Sequence, residues 1–492
     1  MFGAIVWKEF QTELTNFRVI LASLAAILLV GITTYVACLE FNQRVKSYQA
    51  KLHALSQQEQ DIYVYSQLHP HLLRQPEPLS ILSHGPDSIE NAEVEINIYS
   101  LPVEPVGNYH GHAYQSLLSR FDVTEVIIFV LGLLAFLMTF DALCGEKESG
   151  TLALILSGAV PRAVLFGGKF VAVALCLALL LLILYLETIG VILSAADLSS
   201  SSLDWGRYTF LFMTYLLYVV VMILAGLMVS GTVRRSSTSL MVCMLLWILM
   251  VAAYPQAVLS LSHLRAPRDE IVQMEVQRLR AERDQKIKSY KGSRALFGAV
   301  RTLDQTTFVV RAFNLLPTSV TDYEKFIGHQ NRVLLDYAQR IGQVELAARQ
   351  QRLRHLFYTQ LLAALSPAYA LKALSQSVAG TSEWNHEDWL AATRLYREAF
   401  LNYLDSKQGL FGRRWFTDDP PHWEFSMRAD LVKLGQDPSR RLTLSDLPRF
   451  QYRPRSLPSA APLAVGSLLL TLLGLLFIIS GIGFARYDPR AG

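Results

Sequence analysis

The sequence predicts a mainly α fold: six membrane-crossing helices, a mostly helical domain outside the membrane, and a small mixed α/β outer segment. Three observations predict it. Of the 492 residues, 52% are hydrophobic and only 17% charged, where soluble domains carry about a quarter. The apolar residues are gathered into blocks of the ~20 residues needed to cross ~30 Å of hydrocarbon. Mean hydropathy is only +0.28, which excludes both a chain made wholly of spans and an ordinary soluble enzyme.

The chain opens with an amphipathic stretch, residues 1–18. Phe2, Ile5, Val6, Phe10, Leu14 and Phe17 recur at helical spacing, with Lys8, Glu9, Thr12 and Glu13 between them. Such a helix lies in the membrane interface. The first span follows over 19–39. Its Tyr35-Val36-Ala37-Cys38 faintly resembles a lipoprotein cleavage site, but the apolar run has full membrane length and the stretch before it carries Glu9 and Glu13, unlike a basic secretory leader. The other spans are expected at 123–143, 170–196, 208–230, 240–261 and 463–485. Cys38, Cys144, Cys176 and Cys243 all fall in or beside these blocks, where the ordinary role is a small buried apolar residue.

Lys and Arg in short connections set orientation. Lys8, Arg18, Lys147, Arg162, Lys169, Arg234, Arg235, Arg486 and Arg490 all fall on one side. That side is expected to be cytoplasmic and to hold both termini, leaving 40–122 and 262–462 outside. The net charge is only +4 and the basic residues are scattered, so no nucleic-acid partner is expected.

In the first outer segment the sequence suggests a helix near Phe41–Ser66, a Pro-rich turn, and a strand at Glu93-Val-Glu-Ile-Asn-Ile-Tyr-Ser, whose polar and apolar residues alternate. Its partner would come from Val103–Val106 or another subunit. Six histidines lie here, including His69-Pro-His71 and His110-Gly-His112. His110 and His112 are weak metal candidates, because no cysteine or His-x3-His spacing accompanies them. The large outer segment reads as helices over Arg265–Arg294, Gln330–Ser366 and Glu387–Leu404, followed by irregular cover from Gly409 to Arg455.

Between the second and third spans, 144–169 is short and patterned. Glu146, Lys147 and Glu148 give a polar opening, Ser149 and Gly150 allow a turn, Thr151 to Leu156 forms an apolar helical turn and a half, and Pro161 precedes Arg162. A helix that short cannot span; it rests on the membrane or in a partner's groove. Gly167-Gly168-Lys169 is not a phosphate loop, since Ala163 occupies the first Gly position and Phe170 the hydroxyl position.

With Asp141, Glu146 or Glu148, Gly150, Thr151, Leu152, Pro161, Arg162, Gly168 and Lys169 in place, this connection resembles that of ABC-2 type transporter permeases, where it forms a coupling helix. Pro78-Leu-Ser-Ile-Leu-Ser-His-Gly85 and Leu365-Ser-Pro-Ala-Tyr with Ala379-Gly-Thr381 resemble stretches of a branch with large insertions before the second and sixth spans. The resemblance implies a non-catalytic exporter subunit in a bacterial inner membrane. Its partners would be two ATPase subunits carrying ATP and Mg, a second permease copy or homologous permease, membrane lipids, and an envelope partner. The ATPases would dock on Glu146, Glu148, Gly150, Thr151, Leu152, Pro161 and Arg162. Export of a lipid, peptide or natural product is the reading the large outer domains favour; a mechanical transducer or envelope assembly protein without a substrate is the alternative. Glu187, an acid inside the third span, either lines the translocation path or a helix contact, or sits at an interface where that helix ends near Gly190.

Overall fold

Among the described residues six helices are long and apolar enough to cross a membrane: Phe17–Gln57, Val123–Glu148, Arg162–Ala195, Trp205–Thr232, Ser236–Ser262 and Pro462–Ile479. They are called the first to sixth spans, and each coincides with one predicted block. The computed structural model describes residues 2–58, 62–85, 93–103, 122–152, 155, 161–196, 203–264, 269–290, 317–417, 441–452 and 460–485. The N-terminal helix Phe2–Leu14 and the connections joining spans two to three and four to five lie on one side, the basic face. The two long inserted segments lie on the other, the domain face. All four cysteines are buried and form no disulfide.

The first span does not stop where its apolar run stops. It continues as one helix, Phe17–Gln58, in place of the separate helix suggested near Phe41–Ser66. No Gly or Pro falls between Ile32 and Gln58, so nothing breaks the backbone ladder where the surroundings change from apolar to polar.

Small residues and hydroxyls set the packing between spans. At Gly226 of the fourth span a Cβ would lie 3.0 Å from the Thr139 Cβ and 3.1 Å from the Phe136 ring of the second, so only glycine permits this approach. The second and fifth spans each contain one π turn, Ile127–Leu131 and Leu249–Ala253. A π turn displaces backbone hydrogen bonds, and in an apolar layer each displaced group needs another partner. The Tyr218 hydroxyl donates to the Ile128 carbonyl at 2.9 Å, and the Ser366 hydroxyl donates to the Met250 carbonyl.

Ser366 comes from the large inserted segment, which is not confined to the domain face. The long helix Pro317–Ala363 descends toward the bundle, and the short helix Pro367–Ala379 turns back out. Ser366 caps the second helix by accepting from the Tyr369 N–H at 3.2 Å, Pro367 starts it with a preset φ, and Gly380 ends it at φ +80°. Ala370 and Leu374 pack with Leu217, Val465 and Leu469 of the fourth and sixth spans. Met250 and Leu217 each lie twelve residues inside the domain-face end of their spans, about 18 Å at 1.5 Å per residue. The hairpin tip therefore sits among the spans rather than above them. Tyr358, Leu362 and Leu365, one helical stripe near its tip, are exposed, as lipid-facing residues would be.

Above the bundle, both inserted segments build one core. Val94, Ile96 and Ile98 from the first pack with Phe326, Trp389 and Phe400 from the second. The expected strand exists but is short. β2 (Glu93–Glu95) pairs antiparallel with β1 (His71–Leu73), an earlier stretch that the alternation did not point to; residues 104–106 of the expected partner lie outside those described. Beyond Glu95 the backbone is met by a side chain: Arg397 donates to the carbonyls of Asn97 at 3.0 Å and Ile98 at 3.3 Å. Burial pulls the Arg397 guanidinium down to about 10.

Gly226→Val is expected to cost about 1–3 kcal/mol by overpacking, read as a lower thermal midpoint of the purified chain. Gly474→Val, at a site with nothing within 4 Å, should leave the midpoint unchanged.

Candidate functional site

At the basic face the second span runs out in two bonded turns. The Ser230 hydroxyl of the fourth span accepts from the Leu143 and Cys144 N–H groups at 3.0 and 3.1 Å, and Ser239 of the fifth donates to the Phe140 carbonyl at 2.6 Å. The single helical turn Cys144–Glu148 follows. Its three consecutive charges reach three different spans.

Lys147 Nζ donates to the carbonyls of Ser230, Gly231 and Val233, where the fourth span's helix ends. Those carbonyls lack intrahelical partners and carry the negative pole of the helix dipole, so a cation there is favoured twice. Glu148 does the converse, accepting from the Ser236 N–H at 2.9 Å where the fifth span begins. Glu146 Oε1 lies 2.8 Å from Lys169 Nζ of the third span. Lys169, 4% exposed, is also 3.3 Å from Glu9 Oε1 of the N-terminal helix.

The N-terminal helix is held closely. Ile5 presses on Gly168, where a Cβ would stand 2.8 Å from its Cγ2. Glu9 and Glu13 face Lys169 and the bundle, so this helix uses part of its polar face inward while Trp7 and Leu14 remain exposed. Glu13 Oε2 is buried without a hydrogen-bond partner. Burial pushes the Glu13 carboxyl up to about 7, with Asp141 and Glu9 adding to the rise and Lys169 opposing it.

The sequence-predicted residues therefore separate. Glu146 and Glu148 hold helices. Ser149, Gly150 and Thr151 form an exposed turn in which Gly150 takes φ +73°, a conformation that favours glycine. The Ser149 and Thr151 hydroxyls are 2.8 Å apart. Leu152 is helical but 1% exposed, sunk in the bundle core, so its side chain faces inward. Pro161 caps the third span's helix and Arg162 is its first residue; residues 153–154 and 156–160 of the expected coupling helix lie outside those described. Lys147, Glu9, Glu13, Ser230 and Ser236 acquire roles that sequence reading did not assign. The usable signal was Gly167-Gly168 at the head of an apolar helix, which marks a close neighbour.

The third span's helix continues to Ala195, so Glu187 is not at a helix end near Gly190. It is half-buried against the first span, where a Cβ on Gly31 would stand 2.5 Å from its Oε1. Its Oε2 is buried without a hydrogen-bond partner. His110 and His112 lie outside the described residues. Among the described residues no three His, Cys, Asp or Glu side chains come close enough to hold a metal; His69 and His71 instead bond Glu95 and Glu93 at 2.8 and 2.9 Å.

On the domain face the two other motif stretches meet each other. Thr381 donates to the Ser83 carbonyl at 3.1 Å, and Gln376 to the His84 carbonyl at 2.8 Å. Gly85 lies so close to the Thr381 backbone that a Cβ has no room. Arg207 of the fourth span bonds the Val378 carbonyl and Glu77, and Lys372 bonds Glu125 of the second at 2.6 Å.

A bundle of six spans with a charged clamp at one face and a jointed domain at the other is the architecture of a transporter's membrane subunit. Residues 3–490 match the family model described as ABC-2 family transporter protein, and the chain belongs to that family. Over 141 residues it is 31% identical to the "Probable ABC transporter permease protein NosY" of Stutzerimonas stutzeri and 30% identical to that of Pseudomonas aeruginosa. Each match covers 28% of this chain and 51% of the relative, so the chain spans about half the length of these relatives.

Lys169→Met leaves Glu9 and Glu146 without their cation and is expected to cost roughly 3 kcal/mol, measured as a lower denaturation midpoint. Glu13 gives a pH signature. A carboxyl whose folded pKa is raised holds its proton more tightly in the folded state, so its contribution is full below the unfolded value and fades as pH rises through about 7. Hydrogen exchange of residues 2–14 should therefore quicken between pH 5 and 8 beyond its intrinsic dependence, and Glu13→Gln should flatten that change.

Proposed function

We propose that this chain is the membrane half of an ABC-2 exporter, coupling ATP hydrolysis on two separate ATPase subunits to export of a lipid, peptide or natural product. The observation that carries the reading is the exposed Ser149-Gly150-Thr151 turn, one residue beyond a triplet tied to the third, fourth and fifth spans and, through Lys169, to the N-terminal helix. An ATPase pressing on that turn would push on all of these at once. ATP and Mg belong to the ATPase. A second copy or a homologous permease would complete the path, with both termini and the basic face in the cytoplasm of a bacterial cell.

Glu187 fits a place beside the path or at the contact between the first and third spans. An unpartnered carboxyl in the hydrocarbon layer is costly enough to need such a reason. The outer domains would receive or hand over the substrate, with an envelope partner beyond them.

Co-expression with the cognate ATPase tests the coupling. Thr151→Arg should reduce permease-dependent ATPase stimulation by about tenfold, a loss of roughly 1.4 kcal/mol of coupling, while the thermal midpoint stays unchanged. Unchanged stimulation would remove this turn from the interface. Glu187→Gln should alter stimulation or transport without changing ATPase copurification.

A further inference from the structure

A cleft of about 380 Å³ opens where the re-entrant hairpin meets the sixth span, a volume within the ~300–1,000 Å³ of ordinary ligand sites. Its walls come from the long helix, the short helix, the start of helix Glu383–Ser406, and Pro462. One end is polar: the lining includes Arg349, Arg352, Gln376 and Glu383, and with Glu387 and Arg394 behind them three guanidinium groups stand against two carboxylates. Arg349 is held by Glu383 at 3.3 Å and by Glu387, so the cationic wall is fixed in position. The other end is apolar, with Leu353, Leu356 and Ala373. Trp384 and Tyr369 also line it, and the Trp384 indole is oriented by a 2.9 Å bond to Gln360.

Position decides what could fill it. Pro462 begins the sixth span, and the short helix on the opposite wall packs below the ends of the fourth and fifth spans. The cleft thus straddles the boundary between water and hydrocarbon on the domain face. Tryptophan and tyrosine at that level are the usual companions of lipid headgroups. Leu463 and Leu470, exposed on the sixth span beside it, continue an apolar track into the bilayer.

We propose that this cleft seats one anionic glycerophospholipid from the domain-face leaflet. Its phosphate lies at the Arg349–Arg352 wall, its glycerol region lies against Trp384 and Gln360, and its chains leave past Pro462. The volume accommodates a headgroup and the first methylenes, and the tails stay in the bilayer. This goes beyond the exporter reading and needs only that the six spans cross a membrane; no ATPase is required for the site to fill.

The test uses the full chain in phosphatidylcholine vesicles doped with a phosphatidylglycerol analogue carrying a photoactivatable group near the headgroup. Crosslinked peptides should map to Leu353–Gln360 and Ala373–Trp384. Ala373→Trp fills the cleft and should lower the adduct about fivefold, the factor that roughly 1 kcal/mol produces. Arg352→Gln, at the half-buried rim, should abolish the preference for this probe over its phosphatidylcholine counterpart. Leu186→Trp, on an exposed face of the third span, should change neither. Adducts spread evenly over the lipid-facing spans and insensitive to both cleft variants would overturn the proposal, as would equal protection by soluble glycerol phosphate, which would mark a free-anion site. Either result leaves the ATPase measurement above untouched, so the two readings stand or fall separately.

Discussion

The Lys169 ammonium is the group on which the basic face is organised. It is almost wholly buried at the head of an apolar helix and meets carboxylates from two directions, one on the N-terminal helix and one on the segment after the second span. Taking a charge out of water is expensive, and only close partners recover the cost. The same arithmetic makes the arrangement selective. Neither carboxylate could slide by a helical turn without stranding the lysine, so the register of three elements is fixed by one side chain. Lys147 and Glu148 extend the constraint through the helix ends they cap. A short segment with little core of its own thereby acquires a rigid place.

The domain face is held on a different principle. There the ties run mainly through hydroxyls, amides and guanidinium groups reaching backbone carbonyls of other elements: Ser366 to the fifth span's π turn, Thr381 and Gln376 to Ser83 and His84, Arg207 to Val378. These bonds satisfy backbone groups that an apolar setting would otherwise leave unmet. The two faces share the second and fifth spans: each is clamped at the basic face and contains a π turn, and the inserted hairpin bonds the second at its domain-face end, through Glu125, and the fifth at the π turn itself, through Met250.

Much of this was legible in the amino-acid sequence, and what was not has physical reasons. All six spans were readable because a run of twenty apolar residues has few alternatives to crossing a membrane. The helix Pro367–Ala379 was not, because its sequence carries Lys372, Gln376 and two serines and is too short and too polar to register as a membrane element. It is accommodated by specific partners, above all Glu125 for the lysine. The strand at Glu93 was legible from alternation, but its partner was not, since pairing is a choice among distant segments. At the candidate site, the polar triplet and the Gly150 turn stood out as local pattern. The inward direction of Glu9, Glu13 and Leu152 did not, because it depends on where Lys169 and the bundle core lie.

The first span and its extension form a single 42-residue helix, about 63 Å from end to end at 1.5 Å per residue. Its lower half packs along one face, chiefly against the third span, and leaves the other face exposed, and near its upper end Lys51 pairs with Glu93 of the small sheet at 3.3 Å. A rod of that length works as a mast. A tilt of about ten degrees at its membrane-embedded foot carries its tip sideways by roughly 11 Å. A modest angular adjustment among the spans, too small to open a wide gap between them, would thus be magnified into a sweep of the kind that could pull at, or be pulled by, a structure standing well above the membrane.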